Sequence, residues 1–311
     1  MQQNYKADLL TEVSIYYSKT MKGYLNLIAS AWAFSLMSVC VKHLSGRLPV
    51  AEIVLVRALI SLLITRLMIK RAQISPWGKN KKLLIIRGLL GSTALFCVFE
   101  AITTLPLASA TVLQYTYPMF TAVAASLFLK EGFGLRIGIA VIVGWLGILM
   151  VVQPEWISTD SVQLPALSVV IALTGAFLTA MAYICVRKLS RQEHPLVIVH
   201  YFPLISVPIA LPFLFSSGVI PVGVEWVWLI GIGIFTQLGQ IWITEGLTLI
   251  PAAQASSINY VQVLFASTWG IILFAEKLND WTIIGSFFIL VATILSLSSQ
   301  NKIDNNNVRY L

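Results

Sequence analysis

Apolar residues gather along this chain into long runs separated by short polar stretches. A helix needs about 20 apolar residues to cross a hydrocarbon core. Ten runs come near that length: Gly23–Val41, Ala51–Ile69, Leu83–Ile102, Leu107–Leu129, Leu135–Val152, Leu164–Val186, Pro195–Phe215, Trp226–Leu247, Pro251–Phe274 and Trp281–Leu297. Several connections are only a few residues long, which forces neighbouring spans into helical hairpins. No hydrophilic insertion is long enough to be a separate soluble domain. The pattern predicts an all-α integral membrane protein with ten transmembrane helices. Residues 1–22, with Lys6, Asp8, Glu12, Lys19 and Lys22, are too polar for a signal-peptide core. The apolar run after them lacks a convincing small-x-small cleavage site, so it reads as a retained first span behind a cytoplasmic segment. Residues 300–311 are polar and Asn-rich and read as a disordered tail.

The runs also repeat. An offset of 145 residues carries Thr103 onto Thr248, Pro106 onto Pro251, Ala108 onto Ala253 and Ala110 onto Ala255. The same offset carries Tyr115 onto Tyr260, Phe120 onto Phe265, Glu131 onto Glu276, Cys40 onto Cys185, Leu59-Ile60-Ser61 onto Leu204-Ile205-Ser206, and Gly88 onto Gly233. Two five-helix repeats, 23–152 and 164–299, follow from this. Five is odd, so the second repeat enters the membrane from the opposite side. Inverted repeats of this kind place a binding site near the bilayer midplane between the halves.

Composition agrees with lipid as the main solvent: 58% of residues are hydrophobic and 11% charged, against about 25% charged in ordinary globular domains. With the N-terminus in the cytoplasm, 16 Lys and Arg fall inside and three (Lys42, Arg47, Lys277) outside. That bias predicts a multi-pass protein of the inner (plasma) membrane with both termini cytoplasmic. The net charge of +8 sits in short runs between spans, without a nucleic-acid motif. Cys40, Cys97 and Cys185 all lie inside apolar runs, which argues against a disulfide framework or a Cys-based metal site.

One stretch, Leu105-Pro106-Leu107-Ala108-Ser109-Ala110 followed by Tyr115, Pro118 and Leu129-Lys130-Glu131, resembles the helix-four signature of EamA-type members of the drug/metabolite transporter superfamily. Its second copy is Ile250-Pro251-Ala252-Ala253-Gln254-Ala255, Tyr260 and Ala275-Glu276, and Val56-Arg57 and Ile86-Arg87-Gly88 resemble the same pattern. The likeness runs from about Gly23 to Ser299. It implies ten helices around a central cavity bounded by helices one to four and six to nine, and export or exchange of small organic solutes such as amino acids. Val263 stands where Pro118 has its counterpart, and Phe202 where Arg57 has its own. A strictly symmetric site is therefore not expected.

Within the spans, Pro106 and Pro251 are expected to open their helices, where a missing N–H costs nothing. Glu131 and Glu276 border the next helices as caps or dipole partners, with a coupling carboxylate as the alternative. Pro118 is expected mid-helix, where it kinks the chain and turns backbone groups toward a cavity together with Gln114, Tyr115 and Tyr117. Asn259, Tyr260 and Gln262 occupy the matching depth of the ninth span. Gln237 and Gln240 are three apart and share a helix face. Arg57 lies roughly 9 Å inside the outer boundary at about 1.5 Å per residue, with Glu100 and Glu52 as plausible ion partners. A charge at that depth marks a functional site by default. Arg87 reads as snorkelling to the cytoplasmic edge, with Glu245 within reach. His200 could titrate and couple transport to protons, or simply pack. Trp32 and Tyr183 could wall an organic substrate, or equally pack in the core.

Three classes compete. An intramembrane enzyme needs a nucleophile with its base, or spaced metal ligands; neither a G-x-S-x-G nor an H-E-x-x-H pattern occurs. A pore is disfavoured because no filter-like loop occurs, and a duplicated scaffold without transport stays as the alternative reading of the repeat. The sequence reads best as a secondary transporter, not an enzyme, with no cofactor expected. Its partners are a small-molecule substrate and the bilayer, with no nucleic acid; proton or ion coupling and a homodimer stay open.

Overall fold

The computed structural model describes residues 2–129, 135–152, 165–275 and 280–298, and every regular element among them is helical. The first half comprises α1 (Gln2–Leu44), α2 (Val50–Arg71), α3 (Lys81–Thr104), α4 (Leu107–Gln114), α5 (Tyr117–Ala124, continued by a π turn over Ala125–Leu129) and α6 (Leu135–Val152). The second comprises α7 (Ala166–Leu189), α8 (Pro195–Ser217), α9 (Glu225–Leu249), α10 (Ala252–Ile258), α11 (Val261–Phe274) and α12 (Asp280–Ser298). Among the described residues, six helical stretches are long and apolar enough to cross a membrane, and shorter apolar helices accompany them. The polar N-terminal segment is an extension of α1 rather than a separate element. Glu131 and Glu276 lie outside the described residues.

The fourth and ninth spans are each broken. Pro118 is the second residue of α5 and does not sit inside a kinked helix. There its absent N–H removes no helical bond. The break recurs between α10 and α11, where Val263 stands in place of proline, so proline is not its common cause. Both breaks tighten through bonds three residues long: Thr116 N–H to the Leu113 carbonyl at 3.2 Å, and Gln262 N–H to the Asn259 carbonyl at 2.9 Å. Such short bonds replace the α pattern where a helix ends. Pro106 and Pro251 sit immediately before α4 and α10, their carbonyls accepting the N–H groups of Ala110 and Ala255 at 2.9 Å.

The packing obeys the sequence offset. Helix α1 lies along α9 as α7 lies along α3; α3 meets α8 as α9 meets α2; α2 packs on α8 and α6 on α12, each against its own image. In lipid no hydrophobic force drives helices together, so close approach at small residues must do so. A Cβ on Gly88 would stand 2.7 Å from Ile205, and one on Gly233 would stand 2.5 Å from Ile60. Those two pairs are images of each other residue for residue. Ser30 and Gly239 join α1 to α9 through a 3.0 Å bond from the serine hydroxyl to the glycine carbonyl. Leu27 and Phe34, seven residues apart on α1, sit over Gly246 and Gly239 on α9.

The helix ends follow the same rule. Lys42 donates to the carbonyls of Ile102 at 3.3 Å and Leu105 at 2.6 Å, closing the end of α3. Its image Arg187 donates to the carbonyls of Leu247 at 2.8 Å and Thr248 at 3.2 Å, closing the end of α9. A cation suits the negative end of a helix dipole. Helix α8 is tied at both ends by carboxylates. Glu52, at the start of α2, accepts the N–H of Val219 just after α8 at 2.9 Å. Glu193, just before α8, accepts the N–H groups of Lys79 and Asn80 immediately before α3, both at 2.6 Å. The end of α8 thus meets the start of α2, as antiparallel helices do.

Replacing glycine by alanine in an open helix interior stabilises by about 1 kcal/mol. At Gly88 and Gly233 the sign should reverse, because a methyl group must displace the facing isoleucine; overpacking costs about 1–3 kcal/mol. Thermal unfolding of the detergent-purified Gly88→Ala and Gly233→Ala variants checks this, with a lower midpoint expected for both.

Candidate functional site

A cavity of about 120 Å³ lies where the two halves meet, walled by α1, α2, α3, the broken α4–α5 segment, α7, α8, α9 and α11. Its polar lining is Ser38, Arg57, Arg87, Gln114, Tyr115, Tyr117, Thr179, Tyr183, Gln240 and Gln262; Phe34 and Phe202 supply much of the apolar wall. The helix breaks explain how the tyrosines reach it. Ending α4 at Gln114 and restarting at Tyr117 lets both ends of the interruption face inward, where a continuous helix would turn adjacent residues about 100° apart.

Arg57 is 1% exposed and Arg87 is 4% exposed. Arg57 Nε donates to Thr236 Oγ1 at 2.9 Å, and Arg87 Nη2 donates to Gln240 Oε1 at 2.9 Å. Both guanidiniums lie against one ring: 4.7 Å from Arg57 and 4.6 Å from Arg87 to the centre of Phe202. The aromatic face attracts each cation. Yet the two charges stand within about 9 Å of each other and repel by about 2 kcal/mol or more at an effective dielectric near 20. Among the described lining residues there is no carboxylate to offset them. Gly91 makes room for the arrangement: a Cβ there would stand 3.0 Å from both Arg87 Nη1 and the Phe202 ring.

The lining also carries acceptors. Thr179 donates its hydroxyl to the Gly175 carbonyl at 2.8 Å, so its oxygen accepts from Gln114 Nε2 at 2.9 Å. That orientation leaves Gln114 Oε1 without a partner. Tyr115 donates its hydroxyl to Gln262 Oε1. The Tyr117 ring stands 5.2 Å from the rings of both Tyr115 and Tyr183.

Of the residues singled out in the sequence, the structure gathers Arg57, Gln114, Tyr115, Tyr117, Tyr183, Gln240 and Gln262 on this cavity. Others lie elsewhere. Trp32 is 42% exposed, two residues and thus about 200° around α1 from Phe34, which takes the inward position. His200 is buried away from the lining, its Nδ1 sharing a 2.9 Å hydrogen bond with Thr65 Oγ1. Tyr260 packs its ring against α6, 2.9 Å from where a Gly144 Cβ would be. Asn259 and Gln237 are buried behind the wall. The ion partners expected for Arg57 are corrected as well. Glu52 ties the chain after α8, and Glu100 is partly exposed off the cavity because its neighbour Phe99 takes the position facing Arg57, 6.0 Å from the guanidinium. Glu245 accepts from Asn26 at 2.9 Å rather than pairing with Arg87. Arg87 itself does not snorkel. It points into the bundle, and the available signal was that Gly91 and Gln240 lie on helix faces that could receive it.

Removing one partner of a buried charged hydrogen bond leaves the other unsatisfied, at a cost of about 1–3 kcal/mol or more. Gln240→Leu should therefore lower stability by that amount, and adding Arg87→Met should recover most of the loss. Unfolding midpoints of the two single variants and the double variant in detergent read the coupling.

A sequence profile of the EamA-like transporter family matches the chain twice, over residues 21–153 and 166–298. The chain is 33% identical over 281 residues to the pseudopaline exporter of Pseudomonas aeruginosa, a match covering 90% of this chain and 97% of that protein. It is 27% identical to solute carrier family 35 member G1 of Mus musculus, covering 87% and 77% of the two chains. It is 23% identical to an S-adenosylmethionine uptake transporter of Rickettsia felis, covering 70% and 72%. One solved crystal structure superposes with a TM-score of 0.73 at 14% identity over 92% of this chain and 99% of its own, a likeness of fold alone.

Proposed function

The chain belongs to the EamA-like transporter family, and from that premise we propose that it is a secondary active transporter carrying small, amino-acid-like organic metabolites across the plasma membrane by export or exchange. The observation that carries this reading is the cavity at the junction of two inverted halves, lined by polar and aromatic groups from both. Alternating access between two arrangements of such halves would open the site to one side at a time. In this reading the chain makes ten crossings, with α4–α5 and α10–α11 each counted once. The lysine and arginine bias supports a placement of both termini in the cytoplasm. At 120 Å³ the cavity is smaller than the roughly 300–1,000 Å³ of small-molecule pockets, which suits a closed stage of the cycle.

Proteoliposomes test the reading. Vesicles loaded with a defined mixture of amino acids, organic acids and polyamines should lose at least one solute faster than protein-free vesicles. The loss should saturate with concentration and be measured by mass spectrometry with and without a pH gradient. Absence of flux for every solute, with monodisperse folded protein, would reject transport.

A further inference from the structure

We propose that the cavity binds an anionic organic solute, one carrying a carboxylate or phosphate group, and that Arg57 and Arg87 seize that group beside Phe202. The inference names the substrate class of the cavity described above and rests on the transport reading only for the solute's passage across the membrane.

The first support is charge. Two guanidiniums share the ring of Phe202, and the acceptors they are given, Thr236 Oγ1 and Gln240 Oε1, are neutral. Buried charges in proteins are paired or hydrogen-bonded, because an uncompensated one is costly. If these arginines only filled space, apolar side chains of similar volume would serve as well or better. An anion entering the cavity supplies what the lining lacks.

The second support is donor geometry. Arg87 Nε and Nη1 are buried and have no acceptor, while Nη2 is engaged by Gln240. Both bidentate edges of the planar guanidinium fork include Nη2, so Nε and Nη1 each offer an anion a single donor on either side of the bond to Gln240. Stacking on Phe202 holds the plane of that fork, and Gly91, lacking a Cβ, leaves it room. A cationic solute would meet two like charges instead.

The third support is an acceptor on the same lining. The free Gln114 Oε1 can only accept, and its orientation is fixed by the donor duty of Thr179. It suits an N–H group of the same solute. An acid that also carries an amine therefore fits this lining better than a simple acid.

The asymmetry of the repeat agrees. At the offset of 145, the image of Arg57 is Phe202 and that of Arg87 is Ile232. Both cations come from one half, and the site has a single anion-receiving end rather than two.

Binding to the purified protein in detergent is measured with radiolabelled L-glutamate and citrate. Glutaramide, which has no ionised group, serves as the neutral analogue and putrescine as the cation, while inorganic phosphate and glycerol 3-phosphate act as competitors. Glutamate or citrate, or a phosphate competitor, should bind at least tenfold more tightly than glutaramide or putrescine. The competitor that displaces label tells a phosphate site from a carboxylate site. Arg57→Gln and Arg87→Gln should each weaken the favoured anion at least tenfold. Arg57→Lys and Arg87→Lys, which keep the charge and lose the fork, cover the event that the glutamine variants do not fold. The Arg87→Lys protein should still bind several-fold more weakly than the parent.

Equal or tighter binding of putrescine or glutaramide overturns the proposal. So does undiminished anion binding by folded arginine variants, or no binding of any anionic probe. The same preparation in proteoliposomes separates the two readings. Anion binding without flux of any solute keeps this proposal and removes transport. Flux of neutral or cationic solutes without anion binding keeps transport and removes this proposal.

Discussion

Lipid gives helices no hydrophobic reason to associate, and the architecture of this protein depends on how it meets that constraint. Contact is made where residues are small: Ser30 on Gly239, Gly88 under Ile205, Gly233 under Ile60. Each of the two glycine crossings is the image of the other, so one solution of the packing problem is used twice. Close approach there draws the helices into tight pairs. The same helices then leave a space where their larger inward residues, Phe34, Phe202 and the tyrosines, meet without filling it. The cavity is the remainder of a packing scheme whose contacts lie elsewhere along the same helices.

Much of the fold was legible in the sequence because membrane helices announce themselves by length, and the repeat by one constant offset. The offset reached further than similarity of composition: Lys42 and Arg187 differ in type yet close the ends of α3 and α9 in the same way. What the sequence left obscure was direction around a helix axis. Trp32 and Phe34 are both aromatic and two residues apart, and only packing decides which turns inward. Arg87 was misread because depth along a helix says nothing about where a long side chain bends. The helix breaks were half legible. Pro118 marks the first, whereas the second, at Asn259–Tyr260, carries no proline and shows itself only in backbone bonds three residues long.

The family match and the relatives account for a transporter built from two halves, and the lining shows how equal halves can yield an unequal site. Gln240 replaces the Leu95 of the other half, and Phe202 replaces Arg57. The second half thereby presents an acceptor and a ring to cations that the first half owns. Duplication supplied the frame, and divergence at a few inward positions supplied its chemistry. Tyr115 and Tyr260 make the same point: the image residues keep their identity, but one faces the cavity and the other packs on Gly144.

The carboxylate ties at the two ends of α8 join it to the start of α2 and to the start of α3, both in the other half. Both are engaged at once, Glu52 with one N–H and Glu193 with two shorter ones. A tie made to backbone does not depend on the identity of the loop residue, so drift in the loop sequences leaves it intact.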